Sequence, residues 1–260
     1  MKFSCCIDMM SPGLDFIDRV RAAKVDLANA VEFWKWSNKD IDALKNSLDE
    51  NGMQAVLCNL DSADEELSAA LMRGILSHRR TDELVKAIHE SAPVMRRLGI
   101  GKAIVLAGDI DPEIEYLRAL ENIRETLRVG AKAAEEEGIM LVLEPLNSYD
   151  RASYVMPYSS PAFDIVHDID SPALKVLLDL YHTQRMEGNL IYTIEKEIGF
   201  IGHFHVANSP WRCEPPLGEI DYRQVFAAIE SSGYGHYVGF EYRQRNPDFR
   251  LGDWIENLNV

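Results

Sequence analysis

The stretch PEIEYLRALENIRETLRVGAKAAEEEGIMLVLEPLN, residues 112–147, decides the fold. Over 112–137 apolar residues recur three or four apart with charges between them, the period of an amphipathic helix. After Gly138 the pattern changes to a short apolar run, 139–147, which reads as a buried strand. The same alternation recurs along the whole chain. Strands are expected at 2–8, 30–34, 54–60, 102–108, 139–147, 174–182, 202–208 and 237–243, with amphipathic segments such as 81–98 between them. Repeated units of this kind build a parallel sheet covered by helices. Eight strands and about eight helices in 260 residues suit a closed (β/α)₈ TIM barrel better than an open doubly wound sheet, which commonly uses roughly five or six strands.

Working outward, no Pro/Gly/Ser-rich linker or change of composition divides the chain, so a single TIM-barrel domain over 1–260 is expected. The irregular segments 147–161 and 208–218 both follow strands, on the face where barrels carry their sites, and are the natural substrate-covering loops. A helix start is expected near Asp61 or Ser62, leading into the acidic turn Asp64-Glu65-Glu66. The formal charge of -15 repels polyanions, so neither nucleic acid nor an anionic membrane is expected as a partner. Charges interrupt every apolar run before it could span a bilayer. Cys5, Cys6, Cys58 and Cys213 form no CxxC pair and no framework spacing, which with the absence of a basic leader points to a cytoplasmic setting. Nucleotide-binding glycine motifs and a GxSxG elbow are absent.

Each of the last four expected strands ends on a titratable residue: Glu144 in LVLEPLN, Asp179 in LLDLYH, His205 in HFHVAN and Glu241 in VGFEYR. A buried carboxylate needs compensation by a cation or by several hydrogen bonds. Four such groups on neighbouring strands, spaced ~4.8 Å apart, are compensated most economically by one shared metal ion. Three carboxylates and one imidazole form an oxygen-rich set that favours Mn²⁺ or Mg²⁺ and also admits Co²⁺ or Zn²⁺. In HFH, His203 lies on the same side of the strand as His205 but one layer deeper, and reads as a packed or supporting histidine. His182 stands three residues past Asp179, placed to polarise a substrate oxygen. Arg212, in the loop after the seventh strand, offers a planar fork for a carboxylate or a run of hydroxyls. Trp34, Trp36 and Trp211 read as packing or rim aromatics, Cys5, Cys6, Met9 and Met10 as packing, and Glu135-Glu136-Glu137 as a solvated helix end.

At these residues the chain resembles the hydroxypyruvate isomerase family of the xylose-isomerase-like barrel superfamily, which also contains ketose 3-epimerases and endonuclease IV-type repair enzymes. The resemblance is carried by AVEFW (30–34), LEPLNSYD (143–150), DLYHTQRMEGNL (179–190), GHFHVANSPWRCEP (202–215), GEIDY (218–222) and GFEYR (239–243). It implies Glu144, Asp179, His205 and Glu241 as metal ligands, with His182 and Arg212 touching a small hydroxy-carbonyl substrate. His205 stands where hydroxypyruvate isomerases often carry Gln and epimerases carry His, whereas Asp150 replaces a Glu common in the epimerases. The repair enzymes need further histidines; Asp221-Tyr222-Arg223 lacks one of them.

The implied chemistry is proton transfer next to a carbonyl, with the metal chelating the carbonyl and neighbouring hydroxyl oxygens and a cis-enediolate between substrate and product. Glu144 and Glu241 would exchange the carbon-bound proton from opposite sides. Returned to the adjacent carbon, the proton converts hydroxypyruvate into tartronate semialdehyde; returned to the opposite face of the same carbon, it epimerises a ketose at C3. A barrel that binds metal and sugar without turnover is the alternative of a different class. Association into a homo-oligomer through the outer helices is also expected.

Overall fold

The computed structural model describes residues 1–25 and 29–258; the expected domain 1–260 thus also takes in 26–28 and 259–260, which lie outside the described residues. Eight parallel strands close in sequence order into a barrel: β1 (Lys2–Cys6), β2 (Ala30–Phe33), β3 (Gln54–Asn59), β4 (Lys102–Leu106), β5 (Met140–Glu144), β6 (Leu174–Asp179), β7 (Ile201–Val206) and β8 (Tyr237–Phe240). The seam between β1 and β8 is paired from Lys2↔Tyr237 to Cys5↔Phe240, so the sheet has no free edge. Phe3 packs against Phe226 and Phe240, with ring centroids 5.7 and 5.4 Å away, and fastens the seam to the helix Tyr222–Ser231. Every residue of β2 and of β7 is buried, as expected for parallel strands covered on both faces.

All eight strands stand where the sequence places them, but each stops short of the expected C-terminal end. β5 ends at Glu144 because Pro145 has no N–H to continue the ladder. β6 ends at Asp179 because its carboxylate accepts from the N–H groups of Tyr181 and His182, capping the helix Leu180–Met186. His182 therefore sits in the first turn of a helix rather than at the end of a strand. The helix expected over 112–137 is Tyr116–Glu137, since Asp111 first gathers the N–H groups of Glu113 and Ile114 into a turn. Gly138 then reverses the chain at φ +69°, a conformation that costs a residue with a Cβ, and delivers it into β5.

The helix start near residue 61 is corrected as well. Asp64 is the capping residue of Glu65–Arg73, accepting from the N–H groups of Glu66 and Leu67. Asp61 instead accepts from the Ser37 N–H and the Ser68 hydroxyl, and Ser62 donates to Glu90. Of three neighbouring polar side chains that could each cap, Asp64 is the one adjacent to the first turn. The four cysteines are buried and none forms a disulfide. Among the described residues, no helix is long and apolar enough to cross a membrane.

Candidate active site

Parallel pairing fixes which residues meet at the barrel mouth. Asp179 pairs with His205, His205 pairs with Gly239, and Glu144 pairs with Leu106, while Glu241 lies one residue beyond β8. One donor atom from each of Glu144, Asp179, His205 and Glu241 lies within 4.8 Å of all the others, and all four residues are buried. The sequence-derived ligand set is thus gathered at one point. His205 Nδ1 is 3.6 Å from Glu144 Oε1 and 3.5 Å from Glu241 Oε2, and this buried nitrogen has no hydrogen-bond partner.

Electrostatics at this point are unbalanced in favour of negative charge. Burial raises the Glu144 carboxyl to about 7, against the pull of His205, and burial likewise raises Asp179 against Arg212 and His205. Glu241 is desolvated too, yet His205 and Arg212 outweigh burial and hold it below the usual carboxylate range. The His205 imidazole is pushed well above its ordinary value because Glu241, Glu144 and Glu32 overcome its desolvation. Carboxylates therefore outnumber cationic partners in a dry site, and an orphaned imidazole nitrogen points among them. Such a donor set fits one divalent cation with oxygen-rich ligation.

Glu32 is a residue that sequence reasoning missed. It ends up beneath the cluster, where its Oε1 accepts from His203 Nε2 at 2.7 Å and from the Ser4 hydroxyl, and its Oε2 accepts from His205 Nε2 at 2.9 Å. His203 lies one layer deeper than His205, as its position two residues earlier requires. The signal was present: Glu32 interrupts the apolar run AVEFW just as Glu144 interrupts LVLEPLN. Trp34, read as mere packing, donates its indole N–H to Glu241 Oε1 at 2.8 Å. Trp36 donates to Ser91, and Trp211 lies exposed at the rim beside Arg245.

His182 and Arg212 both reach the site. The backbone N–H and side-chain amide of Asn147 approach His182 Nδ1 at 3.0 and 2.6 Å, so Nδ1 accepts and the ring proton resides on Nε2. Burial, then Arg212 and His205, push this imidazole well below its ordinary value and keep it neutral. Its Nε2 is buried without a hydrogen-bond partner, a donor left over for a ligand. Arg212 donates through Nη2 to Glu241 Oε2 at 2.7 Å, stands 3.8 Å from Asp150, and keeps its buried Nε unpaired. Its backbone has φ +52°, a left-handed conformation costly for arginine, held by hydrogen bonds to Asn208 and from Arg243.

The loops read as substrate-covering are tied down. Tyr154, in 147–161, bridges the Ala107 N–H at 2.8 Å and the Glu144 carbonyl at 2.7 Å, and Asp109 pairs with Tyr154 in an isolated bridge. In 208–218, the Asn208 side chain gathers the Trp211 N–H and the Glu214 carbonyl. Trp34, Glu144, Asp150, His182, Arg212 and Glu241 line a cavity of about 270 Å³, below the ~300 Å³ at which pockets for drug-sized ligands begin. Cavities of about 350 and 370 Å³ beside the helix Tyr222–Ser231 contain none of the clustered acids or histidines.

Residues 13–259 match the sequence model of a family described as xylose isomerase-like TIM barrel. The chain is 32% identical over 244 residues to hydroxypyruvate isomerase of Escherichia coli (strain K12), covering 94% of this chain and 93% of that protein. It is 30% identical over 245 residues to a 2-oxo-tetronate isomerase of Cupriavidus necator, again covering 94% and 93%. Among solved structures, one titled AP endonuclease, family 2, from Brucella melitensis superposes with a TM-score of 0.87 at 27% identity, covering 98% of both chains.

Proposed function

Because the chain belongs to the xylose isomerase-like TIM barrel family, we propose that it is a divalent-metal-dependent isomerase acting on a short 2-oxo acid with an adjacent hydroxyl, hydroxypyruvate first. Its relatives from Escherichia coli and Cupriavidus necator are both named isomerases. The observation that carries the finer reading is the cluster of Glu144, Asp179, His205 and Glu241, of which Glu144 and Glu241 line a small cavity together with His182 and Arg212, whose Nε2 and Nε are unpaired donors. A neutral imidazole N–H and a guanidinium are the partners that a carbonyl oxygen and a spectator carboxylate need.

Glu144, Asp179, His205 and Glu241 would hold the ion, with Mn²⁺ or Mg²⁺ the best match to the donors. When bound, a divalent ion supplies positive charge that lowers the cost of the enediolate formed from the substrate. The protein groups do the rest. Arg212 orients the carboxylate, and His182 donates Nε2–H to a substrate oxygen. One of Glu144 and Glu241 takes the proton from C3 of hydroxypyruvate; the C–H electron pair becomes the C2=C3 double bond and the C2=O π pair moves onto the C2 oxygen. A proton returns to C2 from the other glutamate, while the C3 hydroxyl proton passes to the C2 oxygen. C3 becomes the aldehyde, and tartronate semialdehyde results with no co-reactant.

The imidazole at 205, which the resemblance associates with epimerases, favours a second reading, C3 epimerisation of a ketose. A formal charge of -15 weighs against a DNA substrate. The experiment is a proton NMR time course in D₂O with chelator-stripped and Mg²⁺-restored protein, offering hydroxypyruvate and ketoses separately. Metal-dependent deuterium entry beside the carbonyl of hydroxypyruvate, with aldehyde product, is the expected result. A C3 epimer instead would establish the second reading, and no exchange in any tube would overturn both.

A further inference from the structure

The metal-facing side of His205 is selected by a residue that does not face the metal. We propose that Glu32 is a positioning residue for the metal centre: by accepting the Nε2–H of His205 it reserves Nδ1 of that ring as the ligand atom. This rests on the reading that Glu144, Asp179, His205 and Glu241 hold a divalent ion.

Three observations carry it. First, the two nitrogens of His205 have opposite surroundings: Nε2 is 2.9 Å from Glu32 Oε2, whereas Nδ1 is buried, unpaired and aimed between Glu144 and Glu241. An imidazole that gives one N–H to a carboxylate presents its lone pair on the other nitrogen, which fixes both tautomer and ring orientation. Second, Glu32 is itself held rigidly, by the His203 N–H at 2.7 Å on its other oxygen and by the Ser4 hydroxyl. The ring planes of His203 and His205 stand at 89°, so one carboxylate serves two edge-on donors. Third, space has been left for that carboxylate. A Cβ on Gly239, the strand partner of His205, would lie 2.4 Å from Glu32 Oε1.

Glu32, His203 and His205 also bring donor atoms close enough to hold an ion of their own. Both Glu32 oxygens, however, already receive ring N–H groups, and an ion there would have to displace those protons and share His205. The supporting role is the arrangement the hydrogen bonds describe.

The test is Mn²⁺ binding to purified full-length protein, read as free Mn²⁺ by electron paramagnetic resonance against a competing chelator. Wild type is expected to take up one ion per chain. Glu32→Gln keeps the size but offers one acceptor oxygen to two rings, and Glu32→Ala offers none; weakening of about ten- to hundredfold is expected, larger for alanine. A second measurement needs no variant at position 32: ¹⁵N NMR of imidazole-labelled, Zn²⁺-loaded wild type, with His205 assigned by its loss in His205→Gln. The proton is expected on Nε2 of His205 and the metal on Nδ1. Unchanged affinity in both variants, a protonated Nδ1, or two ions per wild-type chain with the second lost on changing Glu32 would each overturn the proposal. Wild type that binds no ion would instead overturn the metal reading on which it rests.

Discussion

Glu144 and Glu241 converge on one atom, Nδ1 of His205, from β5 and from the end of β8, at 3.6 and 3.5 Å. Their other surroundings differ. Glu241 accepts from the Trp34 indole and from the Arg212 guanidinium, while Glu144 shares its burial with Asp179 and Glu241. The same desolvation therefore leaves one carboxyl low and lifts the other to about 7.

That asymmetry makes the metal-free protein sensitive to pH. Glu144 titrates higher when folded, at about 7, than the ~4.3 of an unfolded glutamate, so the fold loses stability as rising pH forces it to ionise. His205 has the same sign: a raised imidazole stabilises below its unfolded value and loses that contribution as pH rises through its folded value. His182 and His203, both lowered, act with the opposite sign but only toward and below their unfolded value near ~6.5. Above pH 6.5, chelator-treated protein should therefore lose stability as the pH rises, by no more than about 1.4 kcal/mol per pH unit for each of these groups still titrating, a fall in Tm of about 2–4 °C per kcal/mol. A divalent ion, taking the place of the protons, should flatten the profile. Thermal scans with chelator and with Mg²⁺ check this; a chelated sample that grows more stable toward pH 8 would contradict the assignment.

Glu241→Gln should keep an oxygen for the ion while removing the group that exchanges the carbon-bound proton. Deuterium entry into substrate is expected to fall at least about a hundredfold, with Mg²⁺ affinity within about tenfold of wild type. Calorimetry and the D₂O time course read the two separately. Undiminished exchange would remove Glu241 from the proton transfer.

Asn147→Asp should test the His182 tautomer. Asn147 Oδ1 accepts from the N–H groups of Tyr149 and Asp150, which an aspartate can reproduce, but its amide donor to Nδ1 would be replaced by an acceptor. The carboxylate would draw the ring proton toward Nδ1, against the backbone N–H that still points at that nitrogen, and so weaken Nε2 as a donor. A loss of about ten- to hundredfold in kcat/KM is expected with the fold retained, roughly the value of one hydrogen bond to a charged or polarised oxygen. Wild-type kinetics in this variant would show that His182 does not donate to substrate.

Arg212→Lys retains a charge beside Glu241 and loses the unpaired Nε. For hydroxypyruvate the KM should rise about ten- to a hundredfold, since an ammonium cannot grip a carboxylate with a planar fork. A neutral ketose should be affected far less. Equal losses on acid and neutral substrates would argue that Arg212 acts only through Glu241.

Tyr154→Phe removes the hydroxyl that joins the Ala107 N–H to the Glu144 carbonyl inside the protein. A buried N–H left unpaired costs about 1–3 kcal/mol, measurable by urea denaturation. Turnover should fall as well, because the backbone that aims Glu144 loses its fixed partner. A stable variant with unaltered kinetics would show that β5 holds its end without the loop.

The sequence by itself determined the barrel and which four titratable residues meet at its mouth. Alternation between a 3.6-residue period and short apolar runs is a local property, set by which residues can face a core, so the eight strands were legible from 112–147 outward. Glu144, Asp179, His205 and Glu241 were legible too, because a titratable residue closing an apolar run is anomalous wherever it occurs, and parallel order makes successive strand ends neighbours. Tertiary structure decided what joins residues distant in the chain. Only closure of the barrel brings Glu32 under His205, 173 positions later, and only the packed loop sets Asn147 against His182, or Trp34 and Arg212 against Glu241. These are hydrogen bonds whose direction depends on a few tenths of an ångström and on a side chain's rotamer. Composition and period carry no record of either.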